Sequence, residues 1–218
     1  MDFQALRALF LDHANPEKAE GMRRYMRDQF EFIGIQTPLR RSLTKSFLKQ
    51  YKDSSELDWD FVHLCWNDQY REFQYAAVDY LRSRQALLEA DDLYRLKELA
   101  QKKSWWDTID GLDQIVGGIA LEYPEANQTL LQWSTDDDFW LRRIAIDHQL
   151  GRKNLTDTGL LETILLNNLN QTEFFINKAI GWALREYSKT DPDWVCRFIE
   201  QHRGSMSKLS IREGSKYI

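Results

Sequence analysis

Four short segments of this chain recur at an interval of 34 residues: Ala77-Val78-Asp79, Gly111-Leu112-Asp113, Ala145-Ile146-Asp147 and Ala179-Ile180-Gly181. The first position is always small and the second always aliphatic. Four residues ahead of the small position stand Phe73, Asp107, Leu141 and Phe175. A fixed period of this length marks a solenoid, whose units cannot bury their apolar faces alone and do so by stacking. One period accommodates two helices of about 12–14 residues with their turns. The tetratricopeptide pattern shares the period, but its Trp-Leu-Gly-Tyr framework is missing here. The expectation is an all-α chain, a HEAT-like helical-repeat solenoid (an α-α superhelix), read as one domain over residues 1–218. Function is then expected on the surface that the stack presents.

Composition agrees with helices: 218 residues carry only 10 Gly and 4 Pro. No apolar run approaches the roughly 18 residues that cross a bilayer. The start, Met1-Asp2-Phe3-Gln4, lacks the basic and apolar pattern of a signal peptide. Cys65 and Cys196 are isolated from each other and read as reduced thiols, which places the chain in the cytoplasm. The four His have no ligand-like spacing to Cys or carboxylates, so neither a metal nor a cofactor is expected.

The net charge of -5 hides a pattern. Residues 1–52 hold 10 Lys and Arg against 6 Asp and Glu, residues 53–139 hold 7 against 19, and residues 140–218 hold 12 against 9. The ends are basic and the middle acidic. Polyanion binding follows the local field, because charges beyond about 8 Å are screened at physiological salt. Charge blocks on solvated helix faces would look the same, so charge alone leaves nucleic acid and bland solvation both open.

Helix starts are well marked. Asn15-Pro16-Glu17 opens a helix toward Phe30, and Thr37-Pro38 opens one toward Lys52. Asp58 caps a helix through Trp66, Asp138 one toward Leu150, Asp191-Pro192 one through Gln201, and Ser207 a short last one. Between them run helices over about 72–84, 91–102, 106–121, 124–133, 158–169 and 172–187. About a dozen helices result, joined by short links.

On a common helical wheel the small column and its apolar neighbours form one stripe, while Trp106, Asp110, Arg143 and Trp182 cluster on the other side. Trp106 and Asp110 are four residues apart and point the same way. Two readings are open. The indoles pack against neighbouring repeats and Asp110 pairs with Arg143, or the four line a groove open to a ligand. Two aromatic faces and a carboxylate suit a cation, including a sugar that becomes cationic as its glycosidic bond breaks. An arginine beside them suits a phosphate.

Longer segments carry a resemblance. They are Tyr25-Met26-Arg27 with Phe32-Ile33-Gly34-Ile35, Thr37-Pro38 with Arg40-Arg41, Arg71-Glu72-Phe73-Gln74-Tyr75-Ala76, Ser104-Trp105-Trp106-Asp107-Thr108-Ile109-Asp110, Trp140-Leu141-Arg142-Arg143, and the run from Phe174 to Tyr187. In these the chain resembles, over nearly its whole length, the AlkD family of bacterial DNA-alkylation-repair glycosylases. The resemblance implies excision of cationic N3- and N7-alkylated purines from duplex DNA, with no base-flipping pocket and no metal or nucleotide cofactor. It implies that Asp110 is the catalytic carboxylate, that Trp106 and Trp182 cradle the lesion's backbone and sugar, and that Arg143 holds the DNA there. Tyr25 and Arg185 become further DNA contacts. A monomer, associated with the nucleoid when bound to DNA, is the expectation. Two other classes remain: a DNA-binding module for distorted or branched DNA without catalysis, and a protein–protein scaffold. Salt-dependent retention on duplex DNA separates the scaffold from both.

Overall fold

The computed structural model describes residues 1–218 and holds 13 α-helices and no strand. Its only β-type pairing is a single bridge between Glu31 and Tyr70. None of the helices is long and apolar enough to cross a membrane. The fold is an all-α helical repeat, as the 34-residue period requires. The chain divides into two compact units, Met1–Leu88 and Glu89–Ile218.

The first unit contains α1 (Phe3–Leu11), α2 (Pro16–Tyr25), α3 (Thr37–Leu48), α4 (Trp59–Asn67) and α5 (Arg71–Ser83). Its core is aromatic: Phe10 stacks on Phe73 at 5.1 Å, and the Phe61 ring meets Tyr80 edge-on at 5.5 Å. Asn15 caps α2 and Asp58 caps α4 through their side chains. α1 has its own cap, Asp2, which the sequence reading passed over. Helix α2 stops at Tyr25 and does not reach Phe30, because Arg27 and Asp28 take φ of 55° and 58° and turn the chain away. At α3 the cap is Gln36, with Thr37 and Pro38 as the first helical residues. The Glu72 carboxylate is buried and accepts the N–H groups of Ile33, Gly34 and Ile35 at 2.8–3.1 Å. Gly34 sits at φ +97°, where a Cβ would run into the Asn15 carbonyl. Two of the segments that carry the resemblance therefore build the scaffold.

The second unit contains α6 (Leu93–Ala100), α7 (Trp106–Glu122), α8 (Ala126–Trp133), α9 (Phe139–Asp147), α10 (Thr158–Leu166), α11 (Phe174–Tyr187), α12 (Pro192–His202) and α13 (Lys208–Gly214). α7, α9, α11 and α13 lie side by side in one row, with α6, α8, α10 and α12 behind them. The repeated small positions Ala145 and Ala179 are fully buried, as the wheel requires. Gly181 lets α13 lie close against α11, since a Cβ there would fall 2.5 Å from the Glu213 Cβ. Helices α9 and α10 end three residues earlier than the sequence indicates, at Asp147 and Leu166. In each case a left-handed residue follows within a few positions, Gly151 (φ 78°) and Asn170 (φ 57°).

Candidate active site

Three neighbouring helices of the second unit supply the site. α7 begins at Trp106 and presents Asp110 one turn later; both are half-buried. Asp138 caps α9 by accepting the Trp140 N–H, and Arg143 follows on the first turns of that helix. α11 carries Trp182 and Arg185.

Arg143 is the hub. It is 1% exposed, and its nitrogens are spent on protein acceptors. Nε donates to Asp110 Oδ1 at 2.8 Å, Nη2 forms an ion pair with the same oxygen at 2.7 Å, and Nη1 donates to the Phe175 carbonyl at 2.8 Å. Nη2 also lies 3.7 Å from Asp147 Oδ2. The wheel placed Arg143 away from the core stripe, and so it is, but the adjacent helices of the row cover it. One guanidinium thus ties α7, α9 and α11 together. Burial works against its charge, but Asp147 and Asp110 outweigh that and hold the Arg143 pKa above its ordinary value.

Asp110 keeps 21% of its side chain exposed, so one carboxylate stands at the boundary between the buried arginine and solvent. Both arginine contacts use Oδ1. Burial raises its pKa, Arg143 opposes the rise, and Asp107 adds to it. The Trp182 ring is half-buried and ringed by cations: the Arg143 Cζ at 5.2 Å, Lys178 Nζ at 5.7 Å and Arg185 Cζ at 6.0 Å from its centroid. Lys178 and Arg185 are both held by Glu213 of α13, each at 3.1 Å. The structure therefore brings Asp110, Arg143, Trp182 and Arg185 together, with Trp106 one turn from Asp110. Tyr25 ends α2 in the first unit and is 71% exposed.

Sequence reasoning missed two members of the cluster. Asp113 of α7 and Asp147 of α9 are 2% and 1% exposed, and their carboxylate oxygens lie within 4.8 Å of each other and of Asp110. The signal was present: Asp79, Asp113 and Asp147 occupy the third position of three of the repeated segments. A second missed feature belongs to the first unit. α3 and the end of α5 border a recess of about 660 Å³ lined by Arg41, Lys45, Lys49, Lys52 and Arg84, with Asp79 as its one acidic residue. Arg84 is fixed there by the carbonyls of Tyr51, Lys52 and Ser54.

Comparison with known proteins adds identity to this geometry. The family model described as DNA alkylation repair enzyme matches residues 6–218. Among solved structures, the chain is similar to a "Predicted DNA alkylation repair enzyme from Enterococcus faecalis". The two share 33% identity and a TM-score of 0.87, over 94% of this chain and 96% of that one. Comparison with curated proteins finds no match.

Proposed function

Since the chain belongs to the DNA alkylation repair enzyme family, we propose that it is a DNA glycosylase that excises cationic N3- and N7-alkylated purines, such as 3-methyladenine and 7-methylguanine, from duplex DNA. Residues 1–218 act in this as one repair domain. The observation that carries the reading is the half-buried Asp110 carboxylate, held by a buried arginine beside Trp182.

An alkylated purine with a fixed positive charge is already a good leaving group. Its glycosidic bond breaks with the electron pair going to the base, which departs neutral, and the sugar becomes an oxocarbenium ion. The protein need not protonate the base. Its task is to stabilise the sugar cation and to place a water. Asp110 serves both, by its charge and as the acceptor for a water that adds to the anomeric carbon and gives up a proton. Arg143 fixes the carboxylate at Oδ1 and leaves Oδ2 for that work. Trp106 and Trp182 offer indole faces to the sugar and backbone. Because the base supplies its own driving force, uncharged lesions react little, and no closed base pocket is needed.

DNA is held through phosphates. Arg143 contributes its charge from within the cluster and through it shapes the lesion cleft. Arg185 of the second unit and Tyr25 of the first are surface contacts, and the lysines of the α3 recess give the first unit a basic surface of its own. The chain works in the cytoplasm, on the nucleoid. The reading is tested by single-turnover incubation with duplex containing 7-methylguanine. Release of the free base supports it. Salt-sensitive duplex binding with no release points instead to a non-catalytic DNA-binding protein.

A further inference from the structure

Three acids surround one guanidinium in the second unit. Asp110, Asp113 and Asp147 each bring a carboxylate oxygen within 4.8 Å of the others, and Arg143 is the cation acting on all three. Both oxygens of Asp147 and Oδ1 of Asp113 have no hydrogen-bond partner. With all three acids ionised, a water-excluding interior would hold two uncompensated negative charges. Proteins resolve such charge by neutralising it. A carboxyl that keeps its proton removes one charge and offers a donor to an orphaned oxygen.

We propose that Asp113 and Asp147 hold one proton between them, and that the single negative charge the pair keeps gives the Asp110–Arg143 site its net negative charge. Asp110 and Arg143 alone sum to zero, a weak stabiliser for a sugar cation. A charge buried behind them makes the cluster net negative without loosening the arginine's grip on Asp110. Asp113 and Asp147 are thus positioning residues that act through Arg143 and Asp110, and this second half of the proposal rests on the glycosylase reading.

The surroundings agree. Burial pushes Asp147 up to about 7, with Arg143 opposing and Asp110 adding to the rise. Burial also pushes Asp113 well above the usual carboxylate range, reinforced by Asp147 and Asp110. The charges that dominate the two acids are Arg143, Asp110 and, for Asp113, Asp147, all on α7 and α9. From α11, only the Phe175 carbonyl reaches Arg143 by a hydrogen bond, and Lys178 and Arg185 are engaged by Glu213. The pair therefore passes from neutral to singly charged near neutral pH.

The test uses the full chain and has two arms. In the first, the aspartate carboxyl carbons are followed by ¹³C NMR from about pH 5 to about pH 9 in the wild type, Asp113→Asn and Asp147→Asn. The expected result is two buried carboxyls that titrate together in the wild type, and one that titrates alone in each variant. Two carboxyls that stay fully ionised, or fully protonated, across the range overturn the proposal. So do carboxyl signals that move on adding magnesium chloride, since a bound cation then replaces the proton. In the second arm, single-turnover release of 7-methylguanine should rise with pH over the same window, on the order of tenfold for one nearby charge at intermediate dielectric. Each single variant should keep a rising limb, because one acid remains. The double variant Asp113→Asn/Asp147→Asn should be flat at the acid-limb rate. A double variant that keeps the wild-type limb, or a flat wild-type profile over a pH range where the carboxyls titrate, overturns the role assigned to the charge. A wild type that releases no base at any pH overturns the glycosylase reading, and the NMR arm still decides whether the proton is shared.

Discussion

Arg143 meets a single oxygen of Asp110 with two of its nitrogens, a hydrogen bond from Nε and an ion-pair contact from Nη2, and Asp110 lies 33 positions earlier on the neighbouring helix. The contact joins helices of consecutive repeats, one position out of the 34-residue register, so the fold and the site depend on the same side chain. The remaining nitrogen reaches the next helix at the Phe175 carbonyl.

Replacing Arg143 with Ala should therefore damage both. It strands the buried Asp147 and the half-buried Asp110 without their cation, and removing one partner of a buried pair costs on the order of 3 kcal/mol. Thermal unfolding should move to lower temperature, base release should fall, and duplex affinity should weaken for damaged and undamaged DNA alike. Arg143→Lys should recover part of the stability but little of the rate, because an ammonium cannot span Asp110 and the Phe175 carbonyl as the planar fork does. A variant with wild-type melting temperature and wild-type release would contradict this account of the hub.

Duplex binding should be dominated by phosphate contacts. The logarithm of affinity should fall linearly with the logarithm of salt, with a slope of about 0.9 per phosphate neutralised. The triple substitution Lys45→Ala, Lys49→Ala and Lys52→Ala should lower that slope by up to about 3 units while leaving melting temperature close to wild type, since all three side chains are exposed. An unchanged slope removes the α3 recess from the interface.

His148 gives acid sensitivity to the second unit. It is 3% exposed, its Nδ1 lies 2.6 Å from the Ala145 carbonyl, and burial holds its pKa down at about 3. The folded state therefore binds fewer protons at this residue than the unfolded chain does. The neutral ring's contribution to stability is present above about pH 6.5 and is lost as pH falls toward 3. Denaturant melts of His148→Gln should show a shallower loss of stability over that window than the wild type. An identical slope would show that His148 is not the group responsible.

Much of this was legible in the sequence, for local reasons. Asn15, Asp58, Asp138, Asp191 and Ser207 each cap the helix expected of them, because a cap bonds an N–H two or three residues on. Trp106 and Asp110 share a face because four residues make about one helical turn. Helix ends were less legible: nothing nearby in the sequence requires Arg27 and Asp28 to take left-handed backbone. The burial of Arg143 was hidden for a different reason. Its wheel position points away from its own helix's apolar stripe, and only the stacking of α7 and α11 on either side closes over it. The acids Asp113 and Asp147 were visible as a repeated column, but a column of Asp reads as solvated until the row of helices is assembled.

The central claim is that Asp110 carries the chemistry, and the most direct measurement is single-turnover release of 7-methylguanine or 3-methyladenine from duplex by Asp110→Asn. The substitution keeps the side chain's shape and removes its charge, so far-ultraviolet circular dichroism and duplex affinity should stay near wild type. Loss of one well-placed electrostatic stabiliser should slow release on the order of 10²–10³-fold. Release by Asp110→Asn at the wild-type rate would contradict the mechanism.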